Sequence, residues 1–322
     1  MSNLGNVFMS NVMNSVDQRT NLVGENRLEL LLFHLSGRQL FALNVFKIKE
    51  VVKLPKLSML PSSHSSIEGV ANIRGDSIPV INLRSAIGMR PKEADEESNL
   101  IITEYNRSVQ GFLVGKVEHI VNMTWQEIME PPSTVGRQHY LTAITKIVED
   151  DKEVLIEIID VEKVLAEIIH YKVEITQGIV DEAILSEFEG RKILHADDSP
   201  TARNQVASTL AQLGIEIIPV KNGLEALTLL QSWADEGKNV KDEILMLITD
   251  AEMPVMDGYK LTNEIRNDPR ISDLFIVLNT SLSGDFNKAM VQKVGCDDFL
   301  SKFQPDLLVE VVQNRLKAKL SE

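Results

Sequence analysis

Four apolar runs in the C-terminal part of this 322-residue chain each end in a polar residue able to do chemistry. Lys192-Ile193-Leu194-His195-Ala196 leads into Asp197-Asp198, and Ile248-Thr249 leads into Asp250. Phe275-Ile276-Val277-Leu278-Asn279 leads into Thr280-Ser281, and Asp298-Phe299-Leu300-Ser301 into Lys302. Ile215 to Val220 supplies a further strand. Helices are expected at Glu225 to Trp233, Tyr259 to Asn267, Ser283 to Val294 and Asp306 to Leu320. Strands that alternate with helices form a parallel sheet, because parallel neighbours need crossover connections. Such sheets bind ligands beyond the carboxyl ends of their strands, so the polar endings of these runs converge on one edge.

Asp197, Asp198 and Asp250 cannot stay close together and ionised without a cation. Their hard oxygens select Mg²⁺, which commonly bridges protein carboxylates to phosphate. If Asp250 attacks a phosphoryl donor, the charge developing on the transferring oxygens is met by the ion and by Lys302. Taken singly, each residue has a plainer reading: the Asp pair as a turn or helix cap, Thr280 as a helix start, Lys302 as a surface charge. Met253-Pro254 and Asp257-Gly258 add a forced turn and a close backbone approach directly after Asp250.

Together the order, spacing and residue types resemble the receiver domain of two-component response regulators, from about Gly190 to the end of the chain. The resemblance implies a flavodoxin-like doubly wound sheet with Asp250 as phosphoacceptor. It also implies Asp198 as metal ligand, Asp197 as ligand directly or through water, and the Glu252 carbonyl as backbone ligand. Thr280 would donate its hydroxyl to the phosphate, Lys302 would pair with it, and Phe299 stands where a switching aromatic is usual. Phe303 follows Lys302 where most relatives have proline, which here arrives only at Pro305. The Glu252 side chain adds negative charge beside the site.

The first half reads differently. Residues 1–26, rich in Asn and Ser, are expected to be a mobile tail. From Leu28 to about Asp160 many short strands succeed one another, with hairpin turns at Ser36-Gly37-Arg38 and Arg74-Gly75-Asp76. This pattern suggests a barrel or pair of barrels, capped by a helix from Asp160 to His170. Glu68-Gly69-Val70-Ala71-Asn72-Ile73-Arg74-Gly75 and Ile78-Pro79-Val80-Ile81-Asn82-Leu83-Arg84 resemble the signature of the chemotaxis coupling protein CheW. Further matches run through Ile48 to Val51, Gly111 to Val121 and Tyr140 to Thr142. The resemblance implies an all-β double barrel over residues 27–170. Arg74 is the leading candidate for partner binding, as an exposed turn arginine suits partner carboxylates. Ile48 and Glu50 follow; strand periodicity puts those two on one face and Val51 on the other unless a bulge intervenes. Residues 171–189 read as a connector, and 190–322 as the receiver.

A coupling domain joined to a receiver is similar to the CheV family. Membership implies a chemotaxis adaptor that couples chemoreceptors (methyl-accepting chemotaxis proteins) to the histidine kinase CheA and is regulated by phosphorylation at Asp250. The alternative is a phosphate sink that drains phosphoryl groups from CheA. A phosphohydrolase of the haloacid dehalogenase kind would need aspartate where Glu252 stands, and no enzymatic activity is expected. The net charge of −14 argues against nucleic-acid partners. No apolar run is long enough to insert in a membrane, and the single cysteine, Cys296, fits a reducing compartment. The protein is therefore expected in the cytoplasm, recruited to receptor arrays at the inner membrane face.

Overall fold

The computed structural model describes residues 27–61, 64–90, 93–105, 108–129, 140–149, 151–168, 174–280, 294–302 and 304–321. The expected N-terminal tail, the helix expected from Ser283 as far as residue 293, and Phe303 lie outside the described residues. The chain divides into two compact units, the first running up to His170 and the second onward from Tyr171.

In the first unit the strands are β1 (Arg27–His34), β2 (Leu40–Asn44), β3 (Ile48–Lys53), β4 (Ile67–Ile73), β5 (Asp76–Asn82), β6 (Asn99–Tyr105), β7 (Ser108–Val114), β8 (Val117–Thr124), β9 (Leu141–Glu149) and β10 (Lys152–Ile159). A short helix α1 (Leu83–Ala86) and the helix α2 (Val161–Ile168) complete it. One sheet has the order β8-β1-β2-β10-β9 and the other β3-β6-β7-β5-β4. Among the described residues, each is closed by one bridge made by a residue that follows an edge strand. Met129 exchanges backbone hydrogen bonds with Ile144 of β9 at 2.8 and 2.9 Å, and Ser58 does so with Val70 of β4 at 2.8 Å in both directions. The expected pair of barrels is therefore present. Leu28, Leu30, Leu32, Ala42 and Ile156 fill the first, and Ala71, Val80, Leu100 and Ile102 the second. The opposite faces of β1 and β2 are buried as well, with Phe33 stacked on Phe41 at 6.2 Å. Burial on both sides explains why these strands read as unbroken apolar runs.

Two glycine-dependent features shape this unit. Gly69 has φ +150°, and a Cβ there would stand 2.5 Å from the Ser58 carbonyl oxygen, so the second closing bridge needs glycine. Arg74 and Gly75, with φ of 55° and 98°, form the two-residue turn that pairs Ile73 with Asp76. Positive φ at both positions matches the twist of a hairpin. The expectation for Ile48 and Glu50 is corrected by a register shift between them: Ile48 pairs with Thr103 and Glu50 with Ile102. Lys49 is the extra residue of a bulge. Ile48 therefore shares its face with Val51, which pairs with Ile101, and Glu50 faces the other way.

The second unit holds β11 (Lys192–Ala196), α3 (Pro200–Ala211), β12 (Glu216–Val220), α4 (Gly223–Asp235), α5 (Val240–Glu243), β13 (Met246–Asp250), α6 (Gly258–Asn267), β14 (Ile276–Thr280), β15 (Asp298–Ser301) and α7 (Pro305–Ser321). All five strands are parallel in the order β12-β11-β13-β14-β15. The order reverses at β11, which creates the crevice where ligands bind in doubly wound sheets. Central strands β13 and β14 are buried throughout. Helix starts are capped from the strand-end loops: Ser199, Asn222 and Asp257 accept from the backbone N–H groups of Ala202, Glu225 and Lys260. Residues 174–189, read as a connector, lie in this unit. Ile175, Ile179, Val180 and Ile184 pack against the cluster formed by α3, α7 and the sheet, and Phe188 is fully buried in it.

Candidate functional site

The sheet register brings the polar endings together. Asp250 ends β13 opposite Asn279, Thr280 ends β14 opposite Ser301, and Asp197 follows β11 beside them. Asp197, Asp198 and Asp250 each offer a carboxylate oxygen, and these oxygens lie within 4.8 Å of one another. Lys302 closes the cluster. Its Nζ stands 3.0 Å from Asp197 Oδ2 and 2.9 Å from Asp250 Oδ2, and its side chain is only 2% exposed. One ammonium cannot neutralise three carboxylates, so the site keeps an excess of negative charge and hard oxygen donors that fit a divalent cation.

The backbone holds the Asp197 carboxylate and shapes the loop after Asp250. Asp197 Oδ1 accepts from Ser199 N–H at 2.9 Å, and Arg203 donates to the Asp197 carbonyl. A Cβ at position 258 would overlap the Asp250 carbonyl oxygen, so Gly258 permits the tight return of the loop onto the strand end. That loop folds back through Gly258 N–H to Ala251 O at 3.1 Å and Gly223 N–H to Met256 O at 2.9 Å. Thr280 is buried, and its carbonyl accepts from Lys302 N–H at 3.0 Å, which ties the two strand ends together. Glu252 is half-buried in the loop after Asp250. Burial, reinforced by the charges of Glu252, Asp257 and Asp250, holds the Tyr259 hydroxyl above its ordinary pKa. Phe299 is half-buried and packs against the cluster around Leu278 and Cys296.

Two residues of this region are named in the sequence reading only as parts of a strand and a turn. His195 is fully buried, and burial pushes its pKa down to about 4 despite Asp197 nearby. It is neutral near pH 7 and adds no positive charge beneath the carboxylates. Asp257, the cap of α6, is also buried, and desolvation pushes its carboxyl up to about 6 against the backbone hydrogen bonds from Lys260 and Tyr259. The alternation of β11, which puts positions 195 and 197 on one face, was the available signal for His195. The first unit offers a different kind of candidate. Arg74 Nη2 lies 2.8 Å from Glu50 Oε2, and the arginine side chain is 61% exposed.

Comparison with known proteins places these features in a family. A CheW-like domain matches residues 29–168, and a response regulator receiver domain matches residues 193–313. Chemotaxis protein CheV1 of Helicobacter pylori is 30% identical over 325 residues, covering 96% of this chain and 99% of the relative. The chain belongs to the CheV family. Chemotaxis protein CheV3 of the same organism is 29% identical and covers 90% of this CheV-family chain and 95% of its own length. The match extends across both units, so the first unit of this CheV protein is its CheW-like coupling domain and the second its receiver. Among the described residues, no helix is long and apolar enough to cross a membrane.

Proposed function

We propose that this chain couples chemoreceptors to the histidine kinase CheA through its first unit and is regulated by phosphorylation of Asp250 in its second. The observation that carries the reading is the joint contact of Lys302 with Asp197 and Asp250 at the carboxyl edge of the receiver sheet. In this reading an Asp250 carboxylate oxygen forms the new bond to phosphorus as the bond from phosphorus to the kinase's histidine nitrogen breaks. Lys302 then pairs with the transferred phosphoryl oxygens, and the buried Thr280 donates its hydroxyl to them. Asp197, Asp198, Asp250 and the Glu252 carbonyl would hold Mg²⁺. That ion neutralises charge on the phosphoryl oxygens when bound. Neutral His195 leaves the balance of the cluster to Lys302 and the cation.

Arg74 and Glu50 form the centre of the proposed partner surface of the first unit, because the planar guanidinium of an exposed turn arginine suits a partner carboxylate. Ile48, on the other strand face, contributes less. The proposed place of action is the cytoplasmic face of receptor arrays. The test is kinase activity in arrays reconstituted from receptor, CheA and this protein, with and without the acyl-phosphate mimic beryllofluoride. Wild type responds to the mimic. Thr280→Ala retains labelling at Asp250 but loses the response, since the hydroxyl that distinguishes the two states is gone. No response in wild type would favour a phosphate sink over a regulated adaptor.

A further inference from the structure

Residues 174–188 form a strap along α7, and the direction of the strap is informative. Thr176 donates its N–H to Asp306 Oδ1 at 2.9 Å and its hydroxyl to Asp306 Oδ2 at 2.6 Å. Farther along, Asp181 N–H donates to Gln313 Oε1 at 2.6 Å, and Gln313 Nε2 donates to the Ile179 carbonyl at 3.0 Å. Lys317 Nζ lies 2.6 Å from Asp181 Oδ2. Position along the strap thus rises with position along α7. The chain therefore enters the second unit at the start of α7, at the edge that carries the carboxylates, and not at the opposite end where β11 begins.

The lower strap is strongly anchored. Ile179, Val180 and Ile184 pack on the apolar cluster, Phe188 is fully buried, and Gln313 is 5% exposed. The upper end is held by the Thr176–Asp306 clasp, which is exposed. Asp306 lies four residues after Lys302, in the first turn of α7. Lys302 is the group whose pairing must change when Asp250 acquires phosphoryl charge, because its Nζ now spans two carboxylates.

We infer that the Thr176–Asp306 clasp is the outlet of the phosphorylation site: loading Asp250 draws Lys302 toward the new charge, displaces the start of α7 and opens the clasp, freeing the upper strap that leads to the coupling unit. This rests on the reading of Asp250 as phosphoacceptor. Hydrogen bonds are short-ranged, so a displacement of about 1 Å at the helix start is enough to break a two-bond clasp. The buried lower strap stays in place and acts as the fixed point.

The test is amide hydrogen exchange on the full chain with Mg²⁺, with and without beryllofluoride, while ¹⁹F NMR reports bound fluoride. Wild type should exchange about tenfold faster over residues 174–177 when loaded, with residues 179–188 unchanged. Asp306→Ala, which removes both acceptors, should exchange rapidly there in both conditions, and Thr176→Val, which removes the hydroxyl donor, should exchange faster than wild type in the unloaded state, with bound fluoride retained in each. Bound fluoride together with unaltered exchange at 174–177 overturns the clasp and leaves the phosphoacceptor reading standing. Absence of bound fluoride overturns the phosphoacceptor reading, and the clasp falls with it. Thr176→Val keeps the Asp306 carboxylate at the start of α7, so its result does not depend on the stability of that helix.

Discussion

Lys302 and Arg74 are both cations held by carboxylates, and their settings separate the two units. Lys302 is 2% exposed and spans two aspartates, whereas Arg74 is 61% exposed and pairs with Glu50. A buried pair of this kind is costly to break, since removing one partner strands a charge away from water. An exposed pair is screened and contributes little to stability. The candidate site of the receiver therefore lies where charge is structurally consequential. The coupling unit carries its candidate contacts in an exposed pair.

The largest expected effect tests the receiver side of this contrast. Asp250→Ala should abolish base-labile labelling by phosphorylated CheA, because a methyl group offers no nucleophilic oxygen. Chelation of divalent cations should abolish labelling of wild type as well. Undiminished labelling in the variant would remove Asp250 from the site. Transfer that persists in EDTA would remove the cation.

Next in size is the contribution of the lysine itself. Lys302→Met should destabilise the metal-free receiver by about 3–5 kcal/mol, as expected when one partner of a buried ion pair is deleted. Urea unfolding in EDTA, followed by hydrogen exchange in β13 and β14, gives the value. A loss below about 1 kcal/mol would put Lys302 in the same class as an exposed pair and dissolve the contrast.

The receiver was legible from sequence because its fold and its chemistry use the same signal. A buried parallel strand is a short apolar run, and the residue that ends it stands at the site, so Asp250, Thr280 and Lys302 could be placed before any coordinates. The barrels were legible only as a class. Their closing bridges, Met129 with Ile144 and Ser58 with Val70, each join one residue outside the named strands to one within them. A single pair has no period to detect. Gly69 was conspicuous, but its reason, contact with the Ser58 carbonyl, depends on that bridge. The Lys49 bulge likewise left no mark in a run of alternating residues, so the shared face expected of Ile48 and Glu50 was reversed. The strap from 174 to 188 reads as polar linker because its apolar residues follow the surface of α7 and not a period of their own.

A third expectation concerns pH. Folding raises the Asp257 carboxyl from the ordinary 3.8 to about 6, chiefly through burial. The folded state thus binds a proton that the unfolded state has already released between those values. Stability from this group is fully present below about pH 4 and is lost as pH rises through about 6, by roughly 2–3 kcal/mol from the size of the shift. Asp257→Asn removes the titration while keeping an acceptor for Lys260 N–H. Denaturant unfolding of wild type and variant at pH 4.5 and pH 7.5 checks the sign. The variant should gain relative to wild type at the higher pH, and an equal difference at both values would show that Asp257 does not titrate in this window.

The smallest effect bears on the coupling unit and runs in two directions at once. Arg74 sits in the left-handed region at φ 55°, at a turn position that asparagine occupies with less strain. Its ion pair with Glu50 is exposed, so it adds little to offset that strain. Arg74→Asn should therefore leave the barrel as stable as wild type or more stable by up to about 1 kcal/mol, while weakening recruitment to receptor–kinase arrays. Arg74→Glu should weaken recruitment further, because it places like charge against Glu50 and against the partner's carboxylates. Thermal unfolding and array sedimentation with the same preparations give both quantities. Unchanged recruitment with raised stability would make the arginine dispensable and leave its conformation unexplained. Reduced recruitment with unchanged or raised stability is the pattern of a residue kept for its partner at the expense of its own turn, and it would mark the coupling unit as the place where function is carried by exposed charge.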